Sequence, residues 1–69
     1  MDVLERLGNK IKKRRIELGL SQEALAFEAG LHRTYIGAVE RGEKNVSIRS
    51  LKKIAVALKS NISFLTTGI

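Results

Sequence analysis

Arg33 and Thr34 hold the side chains of this sequence with the most specific bonding capacity. A guanidinium presents its N–H groups as a planar fork, so Arg33 can donate two parallel bonds to paired acceptors such as guanine O6 and N7. Thr34 offers a hydroxyl to a base or phosphate, and a methyl that fits against thymine. The plainer role for Arg33 is solvation of an exposed helix start. Around the pair the chain is basic: 13 Lys and Arg face 7 Asp and Glu, a net charge of +6 with a pI near 10.2. Such a balance points to a polyanionic partner or to ordinary solubility charge. Five of the six residues from Lys10 to Arg15 are basic, and no acid follows Glu43. Read as a run, Lys10, Lys12 and Lys13 form a solvated face.

Other chemistries lack their residues. There is no cysteine and a single histidine, which leaves no disulfide framework and no zinc cluster. No paired carboxylates, phosphate-binding glycine loop or partnered histidine suggests an enzyme, and no cofactor or metal is expected. The longest apolar run, Ile54 to Leu58, is far too short for a membrane span, and the first residues show no secretory pattern. A cytoplasmic protein is the expectation.

These groups must be positioned by helices. With 69 residues, 43% of them hydrophobic, the chain is sized for one small domain, residues 1–69, whose core would gain from burial in a dimer. Five helices and no strands are predicted. Leu4, Leu7, Ile11 and Leu18 mark the first, over about 3–18, with Gly19 as its C-cap and Gly8 as a tolerated weak point. Ser21 caps a second helix that stops at Gly30, and a third runs from His32 to Arg41, closed by Gly42. Ser47 caps a fourth carrying Ile48, Leu51, Ile54, Ala55 and Leu58, and Ser63 caps a last short turn with Phe64 and Leu65. From Gln22 to Val39 the spacing is that of a helix-turn-helix. Ala26 is small where the helices cross, Gly30 accepts positive φ in the turn, and Ile36 and Val39 anchor the third helix. The opposite face of that helix, with Arg33, Thr34, Gly37 and Ala38, is then free to enter a DNA major groove. Gly37 would permit close approach of DNA, or is simply a tolerated surface glycine.

The segment Leu18-Gly19-Leu20-Ser21-Gln22-Glu23-Ala24-Leu25-Ala26 resembles the opening of the Xre and Cro family of phage and bacterial regulators. The resemblance continues through Ala29-Gly30-Leu31, Tyr35-Ile36, Val39-Glu40-Arg41-Gly42, Ser47 and Leu51. Within that family Arg33-Thr34-Tyr35-Ile36 is most similar to the controller proteins of restriction–modification systems. The resemblance implies an all-α, five-helix, lambda-repressor-like domain with a helix-turn-helix in helices 2 and 3. It implies a phosphate contact at Gln22 and an ion pair between Arg15 and Glu40 that orients the third helix. Ser21 reads as a cap that also borders the DNA backbone. Tyr35 reaches a phosphate or base, or packs in the core. Lys44, Asn45 and Ser47 look like backbone clamps, to which Arg41 and Arg49 add. His32 departs from the small polar or acidic residue usual at that cap; it is either an exposed neutral ring or, protonated, a phosphate neighbour.

The expected function is transcriptional regulation by a homodimer on a pseudo-palindromic double-stranded operator. Val46, Ile48, Ile62, Phe64, Leu65 and Ile69 are the expected dimer surface. A rival reading uses the same fold as a protein-docking module, an antitoxin or adaptor, whose recognition helix would present Leu, Phe or Met outward. A third makes the chain the N-terminal DNA-binding part of a longer phage-type repressor.

Overall fold

The computed structural model describes residues 2–69 and holds five helices: α1 (Val3–Glu17), α2 (Gln22–Ala29), α3 (Arg33–Glu40), α4 (Ile48–Ala57) and α5 (Ile62–Thr66). No strand occurs among the described residues. Each helix starts on a side chain that accepts a first-turn N–H. Asp2 forms a reciprocal capping box with Glu5, Ser21 accepts from Ala24 at 2.9 Å, and Ser47 accepts from Ser50 at 3.1 Å. The last helix corrects the sequence reading. Its cap is Asn61, which accepts from the Phe64 N–H at 2.7 Å, and Ser63 lies inside the first turn. Ser60, Asn61 and Ser63 are all chemically able to cap, and periodicity over five residues is too short to choose among them.

Helix ends follow one pattern. After α1, the N–H groups of Gly19 and Leu20 return to the carbonyls of Ile16 and Arg15 at 2.9 and 3.0 Å. After α4, Lys59 and Ser60 return to Val56 and Ala55 in the same way, at 3.0 and 2.9 Å. The residue in the left-handed region is glycine in the first case, but lysine in the second, at φ 55°. In the turn between α2 and α3 Gly30 takes φ 68°, and the chain reverses so sharply that α3 can cross α2.

The core is Leu7 and Ile11 of α1, Leu25, Ala26 and Ala29 of α2, Ile36 and Val39 of α3, Leu51, Ile54, Ala55 and Leu58 at α4, and Leu65 of α5. α3 packs on α1 and α2, α4 on α2, and α5 on both α1 and α4. The α1–α3 crossing is where Gly8 matters. A Cβ there would lie 2.5 Å from the Val39 carbonyl oxygen and against that of Glu40, so Gly8 is the contact point of two backbones, not a weak point.

The basic run also divides in a way its composition hides. Lys10 donates from Nζ to the carbonyls of Phe64 and Thr67 at 3.1 and 2.7 Å, with the Phe64 ring centroid 5.3 Å away. Arg14 donates from Nε to the Leu58 carbonyl at 3.1 Å. Both cations thus satisfy carbonyls that the C-terminal ends of α4 and α5 leave open. Lys12 and Lys13 remain exposed.

Candidate nucleic-acid interface

One buried carboxylate sets the relation between the helices. Glu40, the last residue of α3, accepts from Arg15 Nε at 2.7 Å and Nη2 at 3.1 Å, and its side chain is 2% exposed. Arg15 Nη1 donates to the Leu20 carbonyl at 2.7 Å, in the link between α1 and α2. The Nε2 amide of Gln22 donates to Glu40 Oε1 at 3.0 Å, drawing the first residue of α2 into the same cluster. No buried side-chain nitrogen or oxygen lacks a hydrogen-bond partner among the described residues. α1, α2 and α3 are therefore tied at one point by a carboxylate that accepts three hydrogen bonds.

Above this cluster opens a cavity of about 600 Å³ lined by Arg15, Ser21, Gln22, Glu23, Arg33, Thr34, Gly37 and Arg41. It faces the N-terminal ends of α2 and α3, where helix dipoles and first-turn N–H groups favour an anion. Arg33 and Thr34 are both exposed, on the first turn of α3. His32 caps that helix through its ring: Nδ1 lies 3.4 Å from the Thr34 N–H and 2.9 Å from Thr34 Oγ1. The ring therefore also fixes where the threonine hydroxyl points. α3 starts at Arg33 and ends at Glu40, so His32 and Arg41 are its caps.

Gly37 departs from the outward placement expected of it. It is buried, and a Cβ added to it would meet Arg41 Nη1 at 3.1 Å and Gln22 Oε1 at 3.5 Å. The space that a base edge would need is already filled by these two side chains. Ala38 and Tyr35 are half-buried, and Tyr35 packs against the core. Arg41 forms a side-on pair with Glu43, Nε to Oε2 at 3.0 Å and Nη2 to Oε1 at 3.1 Å. That bond, with the neighbouring charge, raises the guanidinium above its usual range, and chiefly through the same hydrogen bond it lowers the Glu43 carboxyl. A smaller cavity beside it is lined by Glu5, Asn9, Lys12, Gln22, Glu40 and Arg41. Lys44, Asn45, Ser47 and Arg49 are exposed, ranged along the loop into α4 and its first turn.

Of the expected dimer surface, Leu65 must be withdrawn. It is fully buried between α5 and the rest of the core. Val46, Ile62 and Ile69 are partly buried against that core, whereas Ile48 is 72% and Phe64 50% exposed. Sequence reasoning did not single out four other exposed apolar residues, Val3, Ile16, Phe27 and Val56, of which Phe27 reaches 84%. On α2, Phe27 lies opposite the buried Leu25, Ala26 and Ala29, so the wheel of that short helix held the signal. The pairing of Arg41 with Glu43 was also missed; an arginine and a glutamate flanking a helix-terminating glycine is its only local mark.

Comparison with known proteins adds to this geometry. The helix-turn-helix family model matches residues 11–65. The control protein C.SmaI of Serratia marcescens is 46% identical over 67 residues, covering 97% of this chain and 80% of that one. The control protein C.MunI of a Mycoplasma species is 44% identical over 69 residues, covering 99% and 93%. The crystal structure of the restriction–modification controller protein C.AhdI from Aeromonas hydrophila superposes with a TM-score of 0.88 at 45% identity, covering 90% of this chain and 94% of that one. With its helix-turn-helix in α2 and α3 and likeness along nearly its whole length, this chain belongs to the helix-turn-helix regulators of the restriction–modification controller type.

Proposed function

We propose that the chain is a sequence-specific, double-stranded DNA-binding transcriptional regulator that acts as a homodimer on a pseudo-palindromic operator, as a controller of a restriction–modification system. The observation that carries this reading is the convergence of Arg33, Thr34 and Arg41 with Ser21 and Gln22 around one cleft at two helix N-termini. Arg33 reads a guanine edge bidentately and Thr34 and Ala38 border the adjacent base, while Tyr35 bonds a backbone phosphate. Ser21, Lys44, Asn45, Ser47 and Arg49 line the flanking backbone with the first-turn amides of α2. Gln22 has one amide N–H committed to Glu40 and offers the other to phosphate. The chain acts by binding, not by catalysis.

The size of the domain supports a dimer. The molecule is 26 Å along its longest axis, short of the roughly 34 Å between successive major-groove faces. Two copies joined through Ile48 and Phe64, flanked by Val46, Ile62 and Ile69, would present two α3 helices at that spacing. The protein-docking alternative expects large apolar side chains outward on α3. None of the exposed large hydrophobic residues belongs to α3; Phe27 is on α2. Selection of bound duplexes from a random library, at about 100–150 mM salt, tests the reading. Recovery of a two-fold-symmetric site with half-sites about one turn apart is expected. An unenriched pool would overturn it.

A further inference from the structure

The exposed pair at the rim of the cleft has the geometry of a contact with DNA already made internally. An arginine grips phosphate through two parallel N–H bonds, the arrangement Arg41 makes with the carboxylate of Glu43. Its remaining nitrogen, Nη1, lies over Gly37, so the guanidinium lies across the glycine while its fork is occupied by Glu43. Both side chains are more than half exposed, so the pair can open without disturbing the core. Glu43 is also the last acidic side chain of the chain, next in sequence to the exposed Lys44.

We propose that Glu43 sets the DNA affinity of this protein by competing with backbone phosphate for the Arg41 fork. The inference rests on the DNA-binding reading above. In the free protein the pair is closed and Arg41 is neutralised. On DNA a phosphate replaces the carboxylate, and the free energy of opening the pair is subtracted from binding on any sequence. Glu43 therefore lowers affinity by a similar factor on operator and on random DNA, leaving discrimination to Arg33 and Thr34. Gly37 belongs to the same device: a side chain there would displace the closed form of Arg41.

A double-mutant cycle separates this competition from bulk repulsion of DNA by an acid. Wild type, Glu43→Gln, Arg41→Ala and the double variant are titrated with the selected duplex and with a random-sequence duplex of equal length. Melting temperatures should differ by no more than a few degrees, because both groups lie outside the core and an exposed pair adds little to stability. Glu43→Gln is expected to bind both duplexes about two- to fivefold more tightly when Arg41 is present, the range an exposed ion pair carries. In the Arg41→Ala background the gain should be clearly smaller. Equal gains in both backgrounds would reduce Glu43 to a repulsive charge and overturn the proposal. A loss of affinity in Glu43→Gln would overturn it too, since the acid would then be orienting Arg41 for DNA. Wild-type protein that binds neither duplex would overturn the DNA-binding reading itself, and this inference with it.

Discussion

Replacing Glu40 by glutamine keeps the volume of the side chain and removes its charge. The native carboxylate accepts three hydrogen bonds, two from Arg15 and one from Gln22, with almost no exposure to solvent. A glutamine can accept through one oxygen only, and its own N–H groups must then face the donors of Arg15 or Gln22. Arg15 is left charged, with only the Leu20 carbonyl as a firm acceptor. Breaking one side of a buried ion pair typically costs about 3–5 kcal/mol. The lower end applies here, because Arg15 keeps that carbonyl and is one-tenth exposed at its side chain. A domain of this size holds roughly 3–10 kcal/mol in all, so a loss of about 3 kcal/mol should lower Tm by roughly 12–24 °C. Thermal unfolding followed by far-UV circular dichroism at pH 7 measures it. A Tm within about 3 °C of wild type would refute the reasoning, because an uncompensated guanidinium at that site could not be so cheap. The combined variant Arg15→Met, Glu40→Leu should lose less than Glu40→Gln alone, since it leaves no buried charge.

Four other outcomes can be checked. Gly8→Ala should destabilise by about 1–2 kcal/mol, because overpacking against the Val39 and Glu40 carbonyls outweighs the gain of about 1 kcal/mol in helix propensity; urea unfolding reads this, and a more stable variant would contradict the close crossing. Lys59→Gly should stabilise by about 0.5–1 kcal/mol by relieving the left-handed backbone of a residue with a Cβ, as a rise in Tm. Arg33→Ala should lose one defined base preference in repeated duplex selection, worth about 1–3 kcal/mol at that position, with the rest of the site intact. The Glu43 carboxyl should titrate below 4.5 by NMR, so its contribution to stability is present above that range and lost as pH falls through the lowered value; Arg41→Ala should return it to the ordinary range.

What the sequence disclosed follows the reach of each interaction. Ser21, Ser47 and Gly30 act within a turn of their own position, so residue type and spacing were enough to place the caps and the α2–α3 reversal. The apolar stripe of α4 was equally plain, as its period holds through three turns. Gly8 was misread because the reason for it lies in carbonyls more than thirty residues away. Leu65 was misread for the same kind of reason: its burial depends on how α5 settles against α1 and α4, which no local pattern encodes. Lys10 looked like solvated charge until the chain brought the end of α5 beneath it. At the cleft, sequence brought out Arg33, Thr34, Ser21, Gln22 and Arg41, but not that Arg41 covers Gly37 and is itself held by Glu43.

These assignments separate the cations of the chain by task. Lys10, Arg14 and Arg15 are turned inward to carbonyls and to Glu40, so their removal should act on folding before it acts on any partner. Arg33, Lys44 and Arg49 are free at the surface, so their removal should leave Tm unchanged and act on binding. Glu40 joins the two groups. It fixes the C-terminal end of α3 to α1 and, through Gln22, to the N-terminal end of α2, and so sets how far Arg33 stands from the first-turn amides of α2. A base edge and its neighbouring phosphates keep a fixed separation in the duplex, and the protein must match it before either contact forms. The buried triad is thus a costly contact to disturb and, under the proposed function, the one that would hold Arg33 in register with the N-terminal end of α2.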